Sequence, residues 1–439
     1  MRRSGRTRAR RPGWLAGFAA AAVLALLTAA CSAGGQAPAH AKARASAQAR
    51  ARAQASARAA RLEADLKIAP ATGTTDANPA EGITVTSANG PVTNVSVRTS
   101  GDQVSGSLSD GGRVWHSTWS LDVSRSYTVT ATATEGKGHT VTRTSTFRTL
   151  KPGKTFQTQI FEGYQQTYGV GMPIMLTFSQ PVTNKAAVER SLELKTSKPV
   201  VGAWYWDGNE HLNFRPRDYW PAGTTVSFTG HLNGIEASPG VYATENLTQT
   251  FSIGSSLIAL ISTTSHRLQV YDNGKLKYNW PISTGKPGDD TPDGSYLTVE
   301  KDNPQHMVGP GYNLEVPWSV RFTFSGDFIH DAYWSVGQQG FENVSHGCVN
   351  VAPAHAETYY KMAVPGDPVT VTGSPIAGKW DDGWTEWYWS WQQYLQGSAL
   401  HEAVKAGPGG SSFVSPSSVS ASTATAPLQT SRGGNWKAA

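Results

Sequence analysis

Through most of its length the chain alternates apolar and polar positions with the two-residue period of half-buried β-strands. From Tyr127 to Ala133, Tyr, Val and Ala alternate with threonine, and residues 140–147 return in the same style after a Gly-rich turn. Further turn signals, such as Asn89-Gly90, interrupt the chain at short intervals, as hairpin turns do. The pattern therefore predicts a mainly β protein made of short strands.

The first two thirds of the β-rich region divide into modules at residues 67–151 and 152–254. In the second module, strands over 174–178 and 225–228 accompany a hairpin over 204–214. Both modules resemble immunoglobulin-like β-sandwiches. Wall binding and a rigid spacer are the two roles open to them, and the lack of an aromatic patch or charge cluster favours the spacer.

A third β-rich unit covers residues 255–375. It has a buried-type apolar run over 257–261, a closing strand over 369–372, and a hairpin around Asn273-Gly274. Asn-Gly between two strand patterns is a strong signal for a type I′ turn. We expect this unit to form a separate β-rich domain.

After the third unit, residues 376–404 are rich in tryptophan at helical spacing, which predicts a helix ended by Gly397. Such a stripe can bind glycan, but packing of the helix onto its own domain is the favoured role. From 405 to 439 Gly, Ser and Thr dominate, which predicts a disordered tail. The residues of the stripe are Trp380, Trp384, Trp387, Trp391 and Leu395.

The N-terminal segment has a different pattern. Six arginines precede the uncharged apolar run Trp14 to Ala30, which is typical of a signal peptide over residues 1–31. The run ends at Cys31 in a stretch that resembles a bacterial lipobox, where the cysteine is lipidated; ordinary cleavage near Ala30 is the alternative. Residues 32–66 are rich in Ala and Arg, which predicts a tether. We therefore expect an extracytoplasmic protein, anchored by lipid to the outer face of the membrane and reaching the cell wall.

The net charge of +6 comes from the first 61 residues, which carry twelve Lys and Arg and no Asp or Glu. The rest of the chain has 26 basic and 32 acidic residues. Once residues 1–31 and their six arginines are removed, 32 basic residues balance 32 acidic ones. This neutrality argues against a nucleic-acid partner.

The chain contains two cysteines, Cys31 and Cys348. If lipid occupies Cys31, Cys348 is a free thiol outside the cytoplasm and a candidate nucleophile. A thiol attacks as the thiolate, so it needs a base or a cation beside it. The candidate base is His330, which lies between apolar residues on a predicted strand and is separated from Cys348 by a loop. Taken alone, the two residues also fit a small buried core cysteine and a satisfied core histidine.

The residues around the thiol, VSHGCVN, have candidate roles of their own. Gly347 removes a side chain just before the thiol, so that nearby backbone N–H groups can stabilise an oxyanion. His346 either tunes the thiolate or holds the loop, and the loop role is preferred. Asn350 orients the loop or a substrate amide. Asp331 or a backbone carbonyl fixes the tautomer of His330.

His330, the spacer 331–344 and the run Ser345 to Asn350 resemble the L,D-transpeptidase signature of YkuD-type catalytic domains at every motif position. A lipoprotein signal, two immunoglobulin-like modules and a Trp-rich C-terminal element are similar to the arrangement of actinobacterial wall L,D-transpeptidases. In that subgroup, a substrate-lid tyrosine and a following aromatic residue lie where this chain has Tyr312 and Trp318. Asp331 departs from the serine that relatives often carry.

The resemblance implies an enzyme of peptidoglycan, with Cys348 as the nucleophile and His330 as the proton donor. The thiolate attacks the amide between the third residue of a stem peptide, a diamino acid, and the fourth, D-alanine. The acyl group then passes to the side-chain amine of a second stem, which makes a 3→3 cross-link. The resemblance implies no metal or organic cofactor, acylation by carbapenems, and substrate contacts from Tyr312, Ser345, Asn350 and Trp318.

Other outcomes remain open at this point. Water can resolve the same acyl-enzyme, which gives an L,D-carboxypeptidase, or the amine of a protein can resolve it, which attaches that protein to the wall. A non-catalytic wall-binding lipoprotein is the other alternative. Binding alone would not require His330 together with Cys348, so the sequence argues against it.

Overall fold

The computed structural model describes residues 37–135, 139–309 and 311–419. The chain divides into two compact units, residues 1–61 and 62–439. Helix α1 (Ala37–Asp65) begins the described chain, and the side chains from 42 to 58 are exposed, as its Ala- and Arg-rich composition requires. Within the described ranges, no helix combines the length and apolarity needed to cross a bilayer. The signal peptide and Cys31 lie outside the described residues, and the tether stays a prediction.

The first β module is a sandwich. One of its sheets has the strand order β1-β2-β5-β4 and a second has the order β3-β6-β7. Alternating apolar side chains, among them Val85, Trp115, Val129 and Phe147, form its core. The strands are β1 (Leu66–Ala69), β2 (Thr84–Ser87), β3 (Val92–Thr99), β4 (Gly106–Ser109), β5 (Val114–Ser117), β6 (Ser126–Glu135) and β7 (His139–Arg148).

The second module has its own strands and also takes strands from the C-terminal part of the chain. Its elements are β8 (Lys154–Phe156), β9 (Thr158–Ile160), β10 (Thr167–Tyr168), β11 (Ile174–Phe178), α2 (Lys185–Arg190), β12 (Leu192–Thr196), β13 (Val200–Asp207), β14 (His211–Pro216), β15 (Thr225–Gly230), β16 (Glu236–Ser238), β17 (Val241–Ala243) and β18 (Leu247–Ile253). The hairpin predicted over 204–214 is confirmed, since Trp204 of β13 pairs with Phe214 of β14.

The predicted start of a disordered tail at residue 405 is wrong. Strands β30 (Ala403–Gly407) and β31 (Gly410–Val414) form a hairpin, and β30 inserts between β12 and β13. Ala403 and Val404 are buried there. The carboxylate of Glu189 accepts hydrogen bonds from the backbone N–H of Ala399 and from the Ser398 hydroxyl just before β30. A distant strand supplies the partner for this segment, so its composition alone gave no sign of it.

The predicted C-terminal helix is present but is shorter than the tryptophan spacing indicated. Helix α4 (Trp391–Gln396) begins after Ser390, whose hydroxyl accepts a hydrogen bond from the Gln393 N–H in a capping box. Upstream, Gly383 has a φ of 135°, which interrupts any helix. The tryptophans therefore do not share one helical face.

The Trp-rich segment packs mainly against the second module, not against the domain that precedes it. Trp384 and Trp387 are buried in the core of that module, and the Trp387 indole donates a hydrogen bond to the Gly171 carbonyl at 2.8 Å. The buried guanidinium of Arg215 lies 4.5 Å from the centroid of the Trp387 ring. The prediction that the Trp-rich segment packs against the protein is thus confirmed, but it packs mainly against the second module and not against the third domain.

The third domain carries a sheet of order β22-β29-β19-β20-β21-β28-β27-β26-β23 and a separate hairpin of β24 with β25. Helix α3 follows β28 and packs Tyr359 into the core. The elements are β19 (Leu257–Ser262), β20 (Arg267–Asp272), β21 (Lys275–Ser283), β22 (Gly294–Leu297), β23 (Glu300–Asp302), β24 (Gln305–Gly309), β25 (Tyr312–Val316), β26 (Ser319–Arg321), β27 (Phe328–Asp331), β28 (Val349–Val351), α3 (Pro353–Met362) and β29 (Pro368–Thr372). The prediction of a mainly β protein is confirmed.

Candidate active site

The parallel pairing of β27 with β28 assembles the candidate site. In this register His330 lies opposite Asn350, while Ile329 and Val349 alternate toward the hydrophobic core. Cys348 directly precedes β28, and its Sγ lies 3.7 Å from the backbone carbonyl oxygen of Gly326. The strands thus bring the two residues predicted to carry the chemistry to neighbouring chain segments.

His330 is almost completely buried, with 3% of its surface exposed. Its Nδ1 donates a hydrogen bond to the backbone carbonyl of Asp331 at 2.7 Å. Since a carbonyl can only accept, the proton is on Nδ1 and Nε2 carries the lone pair. Burial lowers the pKa of His330 to about 4, although this hydrogen bond acts in the opposite direction. The imidazole is therefore neutral at pH 7 and able to accept a proton.

The Cys348 thiol has the opposite shift. Burial, with a smaller contribution from the negative charge of Asp327, raises its pKa to about 12. Backbone N–H groups of Phe328 and Cys348 and the positive charge of Arg321 act to lower it. The thiol of Cys348 and the imidazole of His330 are therefore both uncharged at pH 7 in the free protein.

Ser345 fixes the loop that carries the nucleophile. Its hydroxyl donates to the Cys348 carbonyl and accepts from the Gly347 N–H at 3.2 Å. The Gly347 N–H predicted to stabilise an oxyanion is therefore engaged within the loop. The need for glycine at 347 has another source: its φ is 128°, and a Cβ there would lie 2.5 Å from Oδ1 of Asp327.

The hairpin of β24 and β25 brings Tyr312 to the site. The Tyr312 ring contacts that of the exposed His346, with 5.3 Å between ring centroids. Burial raises the pKa of Tyr312, and the nearby Cys348 adds to the rise. His346 thus faces the hairpin, while its neighbour Ser345 makes the hydrogen bonds that hold the loop.

The remaining predicted residues have structural contacts. The Asn350 side-chain amide donates a hydrogen bond to the Ser335 hydroxyl at 3.0 Å. Trp318 contacts Tyr360 of α3, at 5.3 Å between ring centroids. The Asp331 carboxylate does not hold His330, because the backbone carbonyl does so, and its Oδ1 is buried without a hydrogen-bond partner.

Comparison with known proteins identifies the family. A family model described as an L,D-transpeptidase catalytic domain matches residues 256–371, and one described as a bacterial Ig domain matches residues 74–236. L,D-transpeptidase 2 of Mycobacterium tuberculosis (strain CDC 1551 / Oshkosh) is 32% identical over 410 residues, which cover 90% of this chain and 97% of that protein. The chain belongs to the L,D-transpeptidase family.

Other relatives agree with this membership. L,D-transpeptidase 5 of Mycobacterium tuberculosis (strain ATCC 25618 / H37Rv) is 34% identical over 350 residues, which cover 76% of this chain and 77% of that protein. A solved L,D-transpeptidase in complex with imipenem is 33% identical, covers 51% of this chain and 100% of that chain, and has a TM-score of 0.43. The two matching family models confirm the predicted immunoglobulin-like and catalytic parts of the fold.

Two contributors to this L,D-transpeptidase site were not predicted from the sequence. The Thr291 hydroxyl donates to the Gly347 carbonyl and accepts from the Gly285 N–H, so it supports the loop from the side opposite Ser345. Asp327 lies against Gly347 with 9% of its surface exposed. The available signal for Asp327 was an acidic residue directly before an apolar strand.

Proposed function

We propose that this L,D-transpeptidase makes 3→3 cross-links in peptidoglycan outside the cytoplasm. The observation that supports the proposal most is the register of β27 and β28, in which the neutral imidazole of His330 lies on the strand beside the segment of Cys348. A neutral base on the strand paired with the segment that carries a partly buried thiol suits a cysteine acyl transfer. Lipid on Cys31 would hold the enzyme at the membrane, with the stem peptides of the wall as donor and acceptor.

In the first half-reaction, Nε2 of His330 takes the thiol proton as Cys348 Sγ attacks the carbonyl between the diamino acid and D-alanine. The oxyanion is stabilised by backbone N–H groups at the nucleophile, chiefly that of Cys348, because the Gly347 N–H is already bonded to Ser345. His330 then protonates the amine of D-alanine, which leaves. Tyr312 and His346 would cover the bound stem.

In the second half-reaction, the side-chain amine of another stem attacks the thioester carbon. The C–N bond forms, the C–S bond breaks, and the thiol is restored. A β-lactam of the carbapenem class would acylate the same sulfur and stop at the acyl-enzyme, in line with the imipenem complex of a relative.

The experiment uses full-length protein in detergent with a purified tetrapeptide-stem muropeptide. We expect release of D-alanine together with a 3→3 dimer, and loss of both in a Cys348→Ala variant. Tripeptide without dimer would replace the transpeptidase with the carboxypeptidase, and D-alanine release by Cys348→Ala would overturn the thiol mechanism.

A further inference from the structure

The carboxylate of Asp327 is fixed next to the nucleophile loop. Its Oδ2 accepts a hydrogen bond from the Thr323 hydroxyl at 3.1 Å, and its own N–H donates to that hydroxyl at 2.7 Å. Its Oδ1 points at Gly347, where a Cβ would lie 2.5 Å away. The side chain is therefore held in one orientation, with one oxygen directed to the residue before Cys348.

The charge of Asp327 is unfavourable for the first half-reaction. None of the ion pairs among the described residues includes it, and its negative charge raises the pKa of the Cys348 thiol. Asparagine could accept the same bond from Thr323 without this electrostatic cost. A role limited to holding the Cys348 loop in place thus does not explain why residue 327 carries a negative charge.

The acceptor stem peptide can supply the cation that would pair with the Asp327 carboxylate. The acceptor side-chain amine is protonated in neutral solution and must lose a proton before it can attack the thioester. A buried carboxylate without a cation attracts an ammonium group, and Asp327 lies against Gly347, the residue before the cysteine that carries the acyl group. We propose that Asp327 is the general base that removes this proton in the transfer half-reaction, a role that rests on the function proposed above.

The proton and electron balance is complete. The acceptor ammonium gives one proton to Asp327, and the nitrogen lone pair then forms the C–N bond. The C–S bond breaks, its electron pair stays on Sγ, and a second amine proton reaches the sulfur through His330. The third proton stays on the new amide, and Asp327 later releases its proton to water.

In this sequence of steps, the charge of Asp327 and the charge of the Cys348 sulfur depend on each other. While Asp327 is charged it opposes a thiolate, and once protonated it no longer does so, at the moment when Sγ must leave as a thiolate. Burial, assisted by the negative charge of Asp382, raises the pKa of Asp327 to about 6, which suits a base that works near neutral pH. The other titratable groups that interact with Asp327 are Tyr296, Tyr312 and Cys348.

The test compares the full-length enzyme with Asp327→Asn, which retains the bond to Thr323. The burst of D-alanine in the first turnover measures acylation, and the ratio of 3→3 dimer to tripeptide measures transfer against hydrolysis. The matched control is Asp302→Asn, an exposed carboxylate at the end of β23 in the same domain. Each rate is followed from pH 5 to 9 with donor and acceptor muropeptides.

For Asp327→Asn we expect a faster first-turnover burst of D-alanine at pH 7 than in the parent, because loss of the Asp327 charge lowers the pKa of the Cys348 thiol. We expect the dimer-to-tripeptide ratio to drop at least tenfold. Dimer formation should then rise with pH as free amine accumulates, whereas the parent should level off above about pH 6.

Equal ratios and equal pH profiles in the parent and Asp327→Asn would overturn the proposal and leave Asp327 as a loop staple. A loss of the first-turnover D-alanine burst equal to the loss of dimer would also overturn it, since the residue would then serve acylation. A parent enzyme that releases no D-alanine would instead overturn the proposed function, and the role of Asp327 with it.

Discussion

Nδ1 of His330 donates a hydrogen bond to the backbone carbonyl of Asp331, the residue that follows it on β27. A backbone acceptor fixes the tautomer without adding a charge, so the imidazole keeps its low pKa of about 4. The adjacent carboxylate takes no part in this bond, and burial raises its pKa. The base of this site is thus oriented by the main chain.

We therefore expect Asp331→Asn to keep kcat for D-alanine release within about threefold of the parent, because the orienting carbonyl remains. Mutation of His330 to Gln should reduce kcat at least a hundredfold, because no base is left for the thiol. Steady-state D-alanine release at pH 7 measures both. A hundredfold loss in Asp331→Asn would assign the orienting role to the carboxylate.

A second prediction concerns the ionisation of the free thiol. With a pKa of about 12 for Cys348 and about 4 for His330, the resting pair is uncharged at pH 7. Alkylation of Cys348 by iodoacetamide should be slow at pH 7 and should rise about tenfold per pH unit up to pH 9 without a plateau. Peptide mapping of Cys348 measures the rate, with Cys348→Ala as the background. A plateau at or below pH 7 would indicate a preformed thiolate–imidazolium pair instead.

The features that the sequence predicted best are local. The Asn273-Gly274 hairpin follows from two adjacent residues, whose φ angles of 49° and 78° fit the expected turn. The pairing of His330 with the segment of Cys348 follows from a motif of fixed spacing. Strand β30 escaped prediction because it is paired with β13, about 200 residues earlier in the chain, and no local pattern encodes such a partner.

The same distinction holds within the site. The engagement of the Gly347 N–H by Ser345 and the approach of Asp327 to Gly347 depend on the three-dimensional path of the loop. The sequence indicated that glycine matters before the thiol, but it could not give the reason. The positive φ and the nearby carboxylate supply that reason, and they permit a test.

Mutation of Gly347 to Ala should combine two costs: a strained φ of 128° and a Cβ 2.5 Å from Oδ1 of Asp327. We expect a loss of about 1–3 kcal/mol in the free energy of unfolding and a large fall in kcat, since the Cys348 loop must move. The control is Gly288→Ala, whose φ is 95° with no atom within 4 Å, so that it reports the backbone cost alone.

Adding Asp327→Ala to Gly347→Ala removes the contact between the new Cβ and the carboxylate. The double variant should therefore recover the stability lost to that contact, but it should keep the backbone cost that Gly288→Ala measures. Urea unfolding of Gly347→Ala, Gly288→Ala, Asp327→Ala, the double variant and the parent measures this. Equal stabilities of Gly347→Ala and the parent would mean that the loop tolerates a side chain and that the contact with Asp327 has no energetic weight.

The last prediction concerns the dependence of stability on pH in the second module. Glu162 is completely buried; its Oε2 accepts from the Met175 N–H at 3.3 Å, while Oε1 has no partner. Burial, with a smaller contribution from Glu386, raises its pKa to about 8. The unfolded value lies near 4.5, so between pH 4.5 and 8 the folded protein holds a proton that the unfolded chain releases. Stability should therefore fall as pH rises through this window, by at most about 1.4 kcal/mol per pH unit for this group.

Glu162→Gln replaces the protonated acid with a neutral group of the same shape, so it should remove this part of the slope. We expect the variant to match the parent near pH 4.5 and to be the more stable of the two at pH 8. Urea unfolding at pH 4.5, 6 and 8 measures the difference, and Glu245→Gln, an exposed position in the same module, is the control. The fall that remains in the variant belongs to other carboxylates whose pKa burial raises, among them Glu386, to about 7, and Asp327, to about 6. Parallel curves for parent and variant would show that Glu162 is ionised, or reaches water, in the folded protein.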